Sequence, residues 1–167
     1  KFKVFKMIAS TSPIVITGIT ATGKTSLAFE LANHFQIQDI IACDSRQIYK
    51  YLDIVTGKDI PPDFIFQQVS SFQNYTIGFY QTPNSKLRLW GFDFALPSQP
   101  FSVSNYRQLF FEQILPNLIS PFIVVGGTGY YLSGLFSPHD TFSIPPDEDL
   151  RNKLSSLSVI ELQSQIK

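Results

Sequence analysis

The sequence predicts an α/β fold, a parallel sheet flanked by helices, with a small β-hairpin excursion near residues 75–92. Three observations predict it. Short apolar, β-branched runs recur at Ile14–Gly18, Asp39–Cys43 and Phe122–Val125, with the composition of strands buried on both faces. Segments of helical spacing separate and follow them. Strand, helix, strand, helix, strand, helix is the alternation of a parallel sheet.

Taken in order, Ile14-Val15-Ile16-Thr17-Gly18 follows Pro13 and reads as the first buried strand. Lys24 to Phe35 carries apolar residues at Leu27, Ala28, Leu31, Ala32 and Phe35, one face of a helix. Asp39 to Cys43 is the second strand. Residues 44–60 are irregular, with a short helix expected around Arg46 to Tyr49. From Pro61-Pro62 the chain alternates weakly between polar and apolar residues. Tyr75–Tyr80 and Lys86–Trp90 flank Thr82-Pro83-Asn84-Ser85, which predicts the hairpin. Ser102 to Leu115 has a serine start, helical spacing and Pro116 as a stop. Phe122 to Val125 is the third strand and leads through Gly126-Gly127-Thr128-Gly129 into a helix over Tyr130 to Leu135. Ile144-Pro145-Pro146 is a linker. Asp147 to Lys167 is a final helical segment with acids in its first turn, where the helix dipole favours them.

Composition narrows the function classes. At 167 residues, 44% of them apolar and with 16 Phe and 7 Tyr, the chain suits one domain with a real core. Its 13 basic and 13 acidic residues balance, so there is no overall electrostatic footprint of a nucleic-acid binder. The one cysteine, Cys43, excludes a disulfide within the chain and fits a reducing cytoplasm. No apolar stretch after the basic start KFKVFKMIAS is long enough for a signal peptide or a membrane span. The chain opens on Lys1 and its one methionine is Met7, so residues 1–13 are expected to form a disordered N-terminal extension. One α/β domain is expected over 14–143, followed by a helical region from 144 to 167.

The strongest chemical signal is Gly18-Ile19-Thr20-Ala21-Thr22-Gly23-Lys24-Thr25, which fits G-x-x-x-x-G-K-[ST] between a strand and a helix and makes the fold class P-loop NTPase-like. The glycines let successive backbone N–H groups curl around a phosphate. The helix N-terminus adds positive potential, Lys24 supplies a point charge, and Thr25 offers a hydroxyl to Mg²⁺. Asp44-Ser45-Arg46-Gln47 follows the second strand, at the sheet edge where open α/β folds bind ligands. Asp44 there suits a metal-bound water or a general base; capping the next turn is an equal account of it. Arg46 and Gln47 suit a phosphate or a base edge. Gly126-Gly127-Thr128-Gly129 reaches the same edge, either for close approach to a ligand or as a turn. His34 and His139 have no ligand spacing. Lys58, Arg88 and Arg107 are read as exposed charges, and Trp90 as packing.

Together these loops resemble the tRNA dimethylallyltransferase (tRNA isopentenyltransferase, IPP transferase) family. Its pattern is G-P-T-A-S-G-K-T, then D-S-R-Q-I-Y-K-G-L-D-I-G-T-A-K, a Ser-x-x-[DN]-[YF] helix start, and V-G-G-T-G-L-Y. The matching segments are GITATGKT (18–25), DSRQIYKYLDIVTGK (44–58), SVSNYRQ (102–108) and VGGTGYYL (125–132), with Ile-Pro-Pro-Asp-x-x-Leu-Arg at 144–151. The resemblance spans nearly the whole chain and about the first half of a typical member. Ile19 replaces the family's proline, Thr22 its serine and Tyr51 a frequent glycine; Leu89-Trp90-Gly91-Phe92-Asp93 stands where many members have His-His-Leu-Ile-Asp.

The resemblance implies alkyl transfer: the exocyclic N6 of an adenine beside the tRNA anticodon attacks C1 of dimethylallyl diphosphate and expels diphosphate. It implies that residues 18–25 hold the diphosphate with Mg²⁺ at Thr25, and that Lys24 and Thr25 serve catalysis. Asp44 would accept the N6 proton, Ser45, Arg46 and Gln47 would line the adenine pocket, and Thr128 and Arg151 would contact tRNA. It further implies tRNA and dimethylallyl diphosphate as partners of a cytoplasmic monomer. The target base must leave its stack to react. The rival readings are an adenylate isopentenyltransferase acting on free nucleotides, a P-loop small-molecule kinase, and an inactive phosphate-binding fragment.

Overall fold

The computed structural model describes residues 13–127, 129–137, 142 and 144–166. Its centre is a six-stranded sheet of β1 (Ile14–Thr17), β2 (Asp39–Ala42), β3 (Ile65–Phe72), β4 (Tyr75–Gln81), β5 (Arg88–Trp90) and β6 (Ile123–Gly126), in the order β1-β6-β2-β5-β4-β3. The pairs β1–β6, β6–β2 and β2–β5 are parallel; β5–β4 and β4–β3 are antiparallel. The hairpin expected at 75–92 is present. It is not set apart from the sheet, because its second strand, β5, is also the parallel neighbour of β2. The weakly alternating stretch after Pro62 forms β3, an edge strand whose side chains are mostly exposed, and so carries no clear apolar period.

Period-two alternation divides the core between the two faces of the sheet. Ile41, Trp90 and Val124 point to one face, where they pack with Tyr106, Phe110, Ile114, Leu132 and Leu135. Ile40, Leu89, Ile123 and Val125 point to the other, with Ala28 and Ala32. These two alanines, one turn apart and buried, let α1 (Lys24–Phe35) lie close against β1, β2 and β6. The opposite face is covered by α3 (Val103–Leu109) and α4 (Gly129–Phe136). Ser102 starts α3 with a reciprocal capping box to Asn105. The helix runs on as a π turn over Phe110–Ile114, then a 3₁₀ turn over Leu115–Asn117 that contains Pro116. The expected stop at Pro116 is thus a change of helix type, since proline has no N–H for a continuing α-helix.

Two expectations change. The short helix is α2 (Asp53–Thr56), not 46–49. Residues 48–50 are committed elsewhere: Lys50 N–H donates to Ala95 O, Ala95 N–H to Ile48 O, and Tyr49 pairs with Ala95 as a parallel bridge. The final helical segment is two helices, α5 (Glu148–Ser155) and α6 (Val159–Gln165), capped by Asp147 and Ser158. Residues 1–12 lie outside the described part. No described helix is long and apolar enough to cross a membrane.

Candidate active site

Parallel pairing brings the carboxyl ends of β1, β2 and β6 to one edge, with Thr17 beside Gly126 and Ala42 beside Val125. The segments that follow these strands therefore converge. They bound a cleft of about 650 Å³ lined by residues 20–26, 44–47, 54–57, Asp59 and 125–127, a volume typical of a small-ligand site.

The first wall is the loop between β1 and α1. Gly23 caps α1 in the left-handed region, with φ 77°, and no side chain caps the helix's first turn. Residues 20–26, which include that first turn, line the cleft, and uncapped amides at a helix N-terminus suit an anion. Thr22 Oγ1 and Lys24 Nζ both donate to Ile19 O, at 2.8 and 2.7 Å, which holds the ammonium over the curl of the loop. Ala21 is also left-handed, with φ 64°, a conformation that costs an L-residue about 1–2 kcal/mol and is held by its surroundings.

The second wall begins at the end of β2. Half-buried Asp44 accepts the Arg46 N–H through Oδ1 at 2.8 Å, so the turn-capping account of this residue is correct as far as it goes. Its carboxylate also lines the cleft. Gln47 Nε2 donates to Gly57 O at 2.9 Å and ties this turn to the segment after α2. Arg46 is exposed.

The third wall is the end of β6. A Cβ on Gly126 would stand 2.4 Å from Cys43 O, so this glycine exists for strand-to-strand approach. A Cβ on Gly127 would stand 3.4 Å from Gly18 O and 3.7 Å from Lys24 Nζ, so Gly127 faces the phosphate loop. The glycine run thus serves packing at its first position and the cleft at its second. Thr128 lies outside the described residues. Arg151 is on α5, exposed and 3.6 Å from Glu148, and does not line the cleft.

Cys43 is fully buried beneath the site, and burial pushes its thiol up to about 12. Tyr106, also buried, donates to Ala42 O at 2.7 Å, and burial raises its phenol well above the ordinary value. Both groups are therefore protonated, uncharged supports for the end of β2.

Three cations read as exposed are structural instead. Lys58 Nζ is buried and donates to Tyr49 O, Asp53 Oδ1 and Asp93 Oδ1 at 2.6–2.7 Å. Tyr80 OH donates to the other oxygen of Asp93. This network anchors the 53–58 segment to the sheet. Arg88 pairs with fully buried Asp39 at 2.7 Å. Arg107 donates twice to the carbonyls of Gly134 and Leu135, near the C-terminal end of α4. The exposed apolar pair Ile54 and Val55, together with Asp59, lines the cleft without having been singled out in the sequence. Their position depends on Lys58, whose partners lie up to 35 residues away, so no local signal marks them.

The residues fit a magnesium–diphosphate ligand. The Thr25 hydroxyl and the carboxylates of Asp44 and Asp59 line one cleft, and no cluster of three His, Cys, Asp or Glu occurs among the described residues. That donor set is too sparse for a dedicated metal cage. It suits Mg²⁺, which takes one or two protein ligands and completes its shell from phosphate oxygens and water.

Comparison with known proteins agrees with this geometry. The chain is 36% identical over 153 residues to tRNA dimethylallyltransferase 1 of Syntrophus aciditrophicus, covering 90% of this chain and 44% of that protein. It is 33% identical to the tRNA dimethylallyltransferase of Synechocystis, covering 86% and 40%. The crystal structure of a tRNA isopentenylpyrophosphate transferase from Bacillus halodurans superposes with a TM-score of 0.58 at 25% identity, over 92% of this chain and 46% of that one. A second, from Staphylococcus epidermidis, gives 0.54 at 25% identity. The chain thus spans less than half the length of the relatives it matches. The IPP transferase family model matches residues 72–166, more than half of the sequence, and the chain belongs to that family.

Proposed function

We propose that this chain carries the donor-binding half of an enzyme that moves a dimethylallyl group from dimethylallyl diphosphate to N6 of an adenine next to the anticodon of tRNA. The observation that carries the reading is the shared cleft: Asp44 and the loop bearing Lys24 and Thr25 line one cavity.

In this reading residues 18–25 grip the diphosphate with main-chain amides and the Lys24 ammonium. Positive charge around a leaving group lowers the barrier to its departure. Bound Mg²⁺, held by the Thr25 hydroxyl, would neutralise further charge on the diphosphate. Asp44 stands to take the proton from N6 as nitrogen bonds to C1 and the C1–O bond breaks. Its hydrogen bond from Arg46 N–H fixes the carboxylate's orientation. Gln47, tied to Gly57 O, and Ser45 and Arg46 line the acceptor side. Thr128 and the exposed Arg151 are the further contacts proposed for tRNA. The 144–166 helices would begin the region that grips it. A tRNA acceptor sets the reaction in the cytoplasm, and the enzyme would act as a monomer.

The test is to incubate the parent protein with dimethylallyl diphosphate, Mg²⁺ and unmodified tRNA, and in parallel with AMP, ADP or ATP as acceptor. Prenylated adenine in tRNA supports the reading. Product on free nucleotides alone marks an adenylate isopentenyltransferase, and phosphoryl transfer from ATP without prenylation marks a kinase.

A further inference from the structure

Between the cleft-lining stretches 44–47 and 54–57 the chain passes through a turn at Tyr51. Tyr51 is 80% exposed, and among the described residues its side chain has no hydrogen-bond, ring or cation partner. Its backbone is left-handed, with φ 66°, a conformation that glycine takes freely and tyrosine takes at a cost. The family pattern has a frequent glycine at this position. The ring is thus neither used in packing nor favoured by the backbone. It lies close to the cleft: Ile54, three residues on, lines it, and three residues span at most about 11 Å. Ile54 and Val55 are themselves 97% and 82% exposed and extend an apolar rim onto α2. The lysines on either side of this rim are committed, Lys50 to Thr76 Oγ1 at 2.7 Å and Lys58 to Asp53, Asp93 and Tyr49 O.

We propose that Tyr51 is a stacking platform for the nucleobase next to the target adenine in the acceptor RNA. In the reaction proposed above, on which this inference rests, the target adenine leaves its stack to enter the cleft. The base beside it then loses a stacking partner and exposes one π-face. An unpartnered aromatic ring near the cleft covers that face, and because every base has one, the contact tolerates any neighbour. Single-stranded loops are recognised by such stacking on aromatic side chains. With both lysines engaged, the rim around Tyr51 offers apolar surface to bases rather than ammonium groups to phosphates. A free nucleotide has no neighbouring base and gains nothing from the ring. Tyr51 therefore favours an RNA acceptor over a mononucleotide.

The test compares Tyr51→Gly and Tyr51→Phe with wild type in the parent protein, by steady-state transfer to unmodified tRNA and by thermal melting. Loss of one stacked base is expected to raise KM for tRNA by about five- to a hundredfold in Tyr51→Gly. Donor KM and kcat should stay within about twofold, as for a contact made equally in ground and transition states. Tyr51→Phe keeps the ring and is expected within about twofold of wild type. Tyr51→Gly should melt close to wild type, because relief of the left-handed backbone offsets the added freedom of the unfolded chain. Two further tRNAs, abasic on the 5′ or the 3′ side of the target adenine, identify the stacked base: on one of them wild type and Tyr51→Gly should have equal KM. Equal KM on intact tRNA, or an undiminished difference on both abasic tRNAs, overturns the platform and leaves the proposed function standing. So does a melting temperature more than about 4 °C lower in Tyr51→Gly, which marks the ring as packed against protein. A wild-type parent that transfers nothing to tRNA overturns the proposed function and the platform with it.

Discussion

Two aspartates five residues apart, at either end of the same strand, have opposite lives. Asp39 opens β2 and is fully buried. It accepts from Arg88 at 2.7 Å, from the Trp90 indole at 2.8 Å and from Ile119 N–H at 2.8 Å. Asp44 follows the other end, half-buried, and among the described residues it accepts one hydrogen bond, from Arg46 N–H. The first carboxylate is saturated and can do nothing but hold. The second keeps acceptor capacity turned toward a cleft. The closed end of the sheet is built for stability, and the open end leaves groups unsatisfied for a ligand to use.

The largest expected effects would break this contrast. Asp39→Ala leaves Arg88 and Trp90 facing an empty polar site, and breaking one side of a buried pair costs about 3–5 kcal/mol. Thermal or denaturant unfolding should show the chain at the edge of stability or unfolded. Asp44→Asn should instead cut turnover by about 10²–10⁴, the range for a positioned general base, with stability changed by less than about 1 kcal/mol. If Asp44→Asn melts as early as Asp39→Ala, the two ends do not differ in kind.

Gly126→Ala sharpens the comparison at the cleft's floor. The new methyl meets Cys43 O at 2.4 Å, a backbone atom that cannot step aside. A loss of about 1–3 kcal/mol is expected, read from the unfolding midpoint. Gly127→Ala, with 3.4 Å to Gly18 O, should affect diphosphate affinity more than stability.

A smaller effect comes from Cys43. Its thiol is held up to about 12 in the fold, against an ordinary 9.0. The folded chain keeps its proton where the unfolded chain releases it, so the fold loses stability as pH rises above 9 toward 12. The slope from this one group is at most about 1.4 kcal/mol per pH unit. Wild type should therefore lose more stability than Cys43→Ala between pH 9 and 11, and parallel pH profiles would contradict the burial argument. The smallest effect is expected at Arg151→Ala, whose exposed pairing with Glu148 should leave the melting temperature unchanged while lowering affinity for tRNA in the parent protein.

The parallel strands, α1 and the phosphate loop were legible in the sequence because their signals are local. Ile40 and Ile41 face opposite sides by strand alternation alone, and Gly23-Lys24-Thr25 follows directly from β1. Residues 44–60 were not legible. Their backbone bonds run to residues 93–95 and their one buried cation, Lys58, finds Asp93 far along the chain. A lysine in a polar stretch looks exposed until its partners are known. The same holds for Arg88 and Asp39. The edge strand β3 escaped because its exposed surface leaves no apolar period to read.

The most direct test of the account separates binding from chemistry at Asp44. Dimethylallyl diphosphate affinity and single-turnover transfer to unmodified tRNA would be measured for the parent protein, wild type and Asp44→Asn. The account predicts transfer slowed at least about a hundredfold with donor affinity changed only a few-fold. Transfer at the wild-type rate, or transfer and donor affinity lost together, would contradict it.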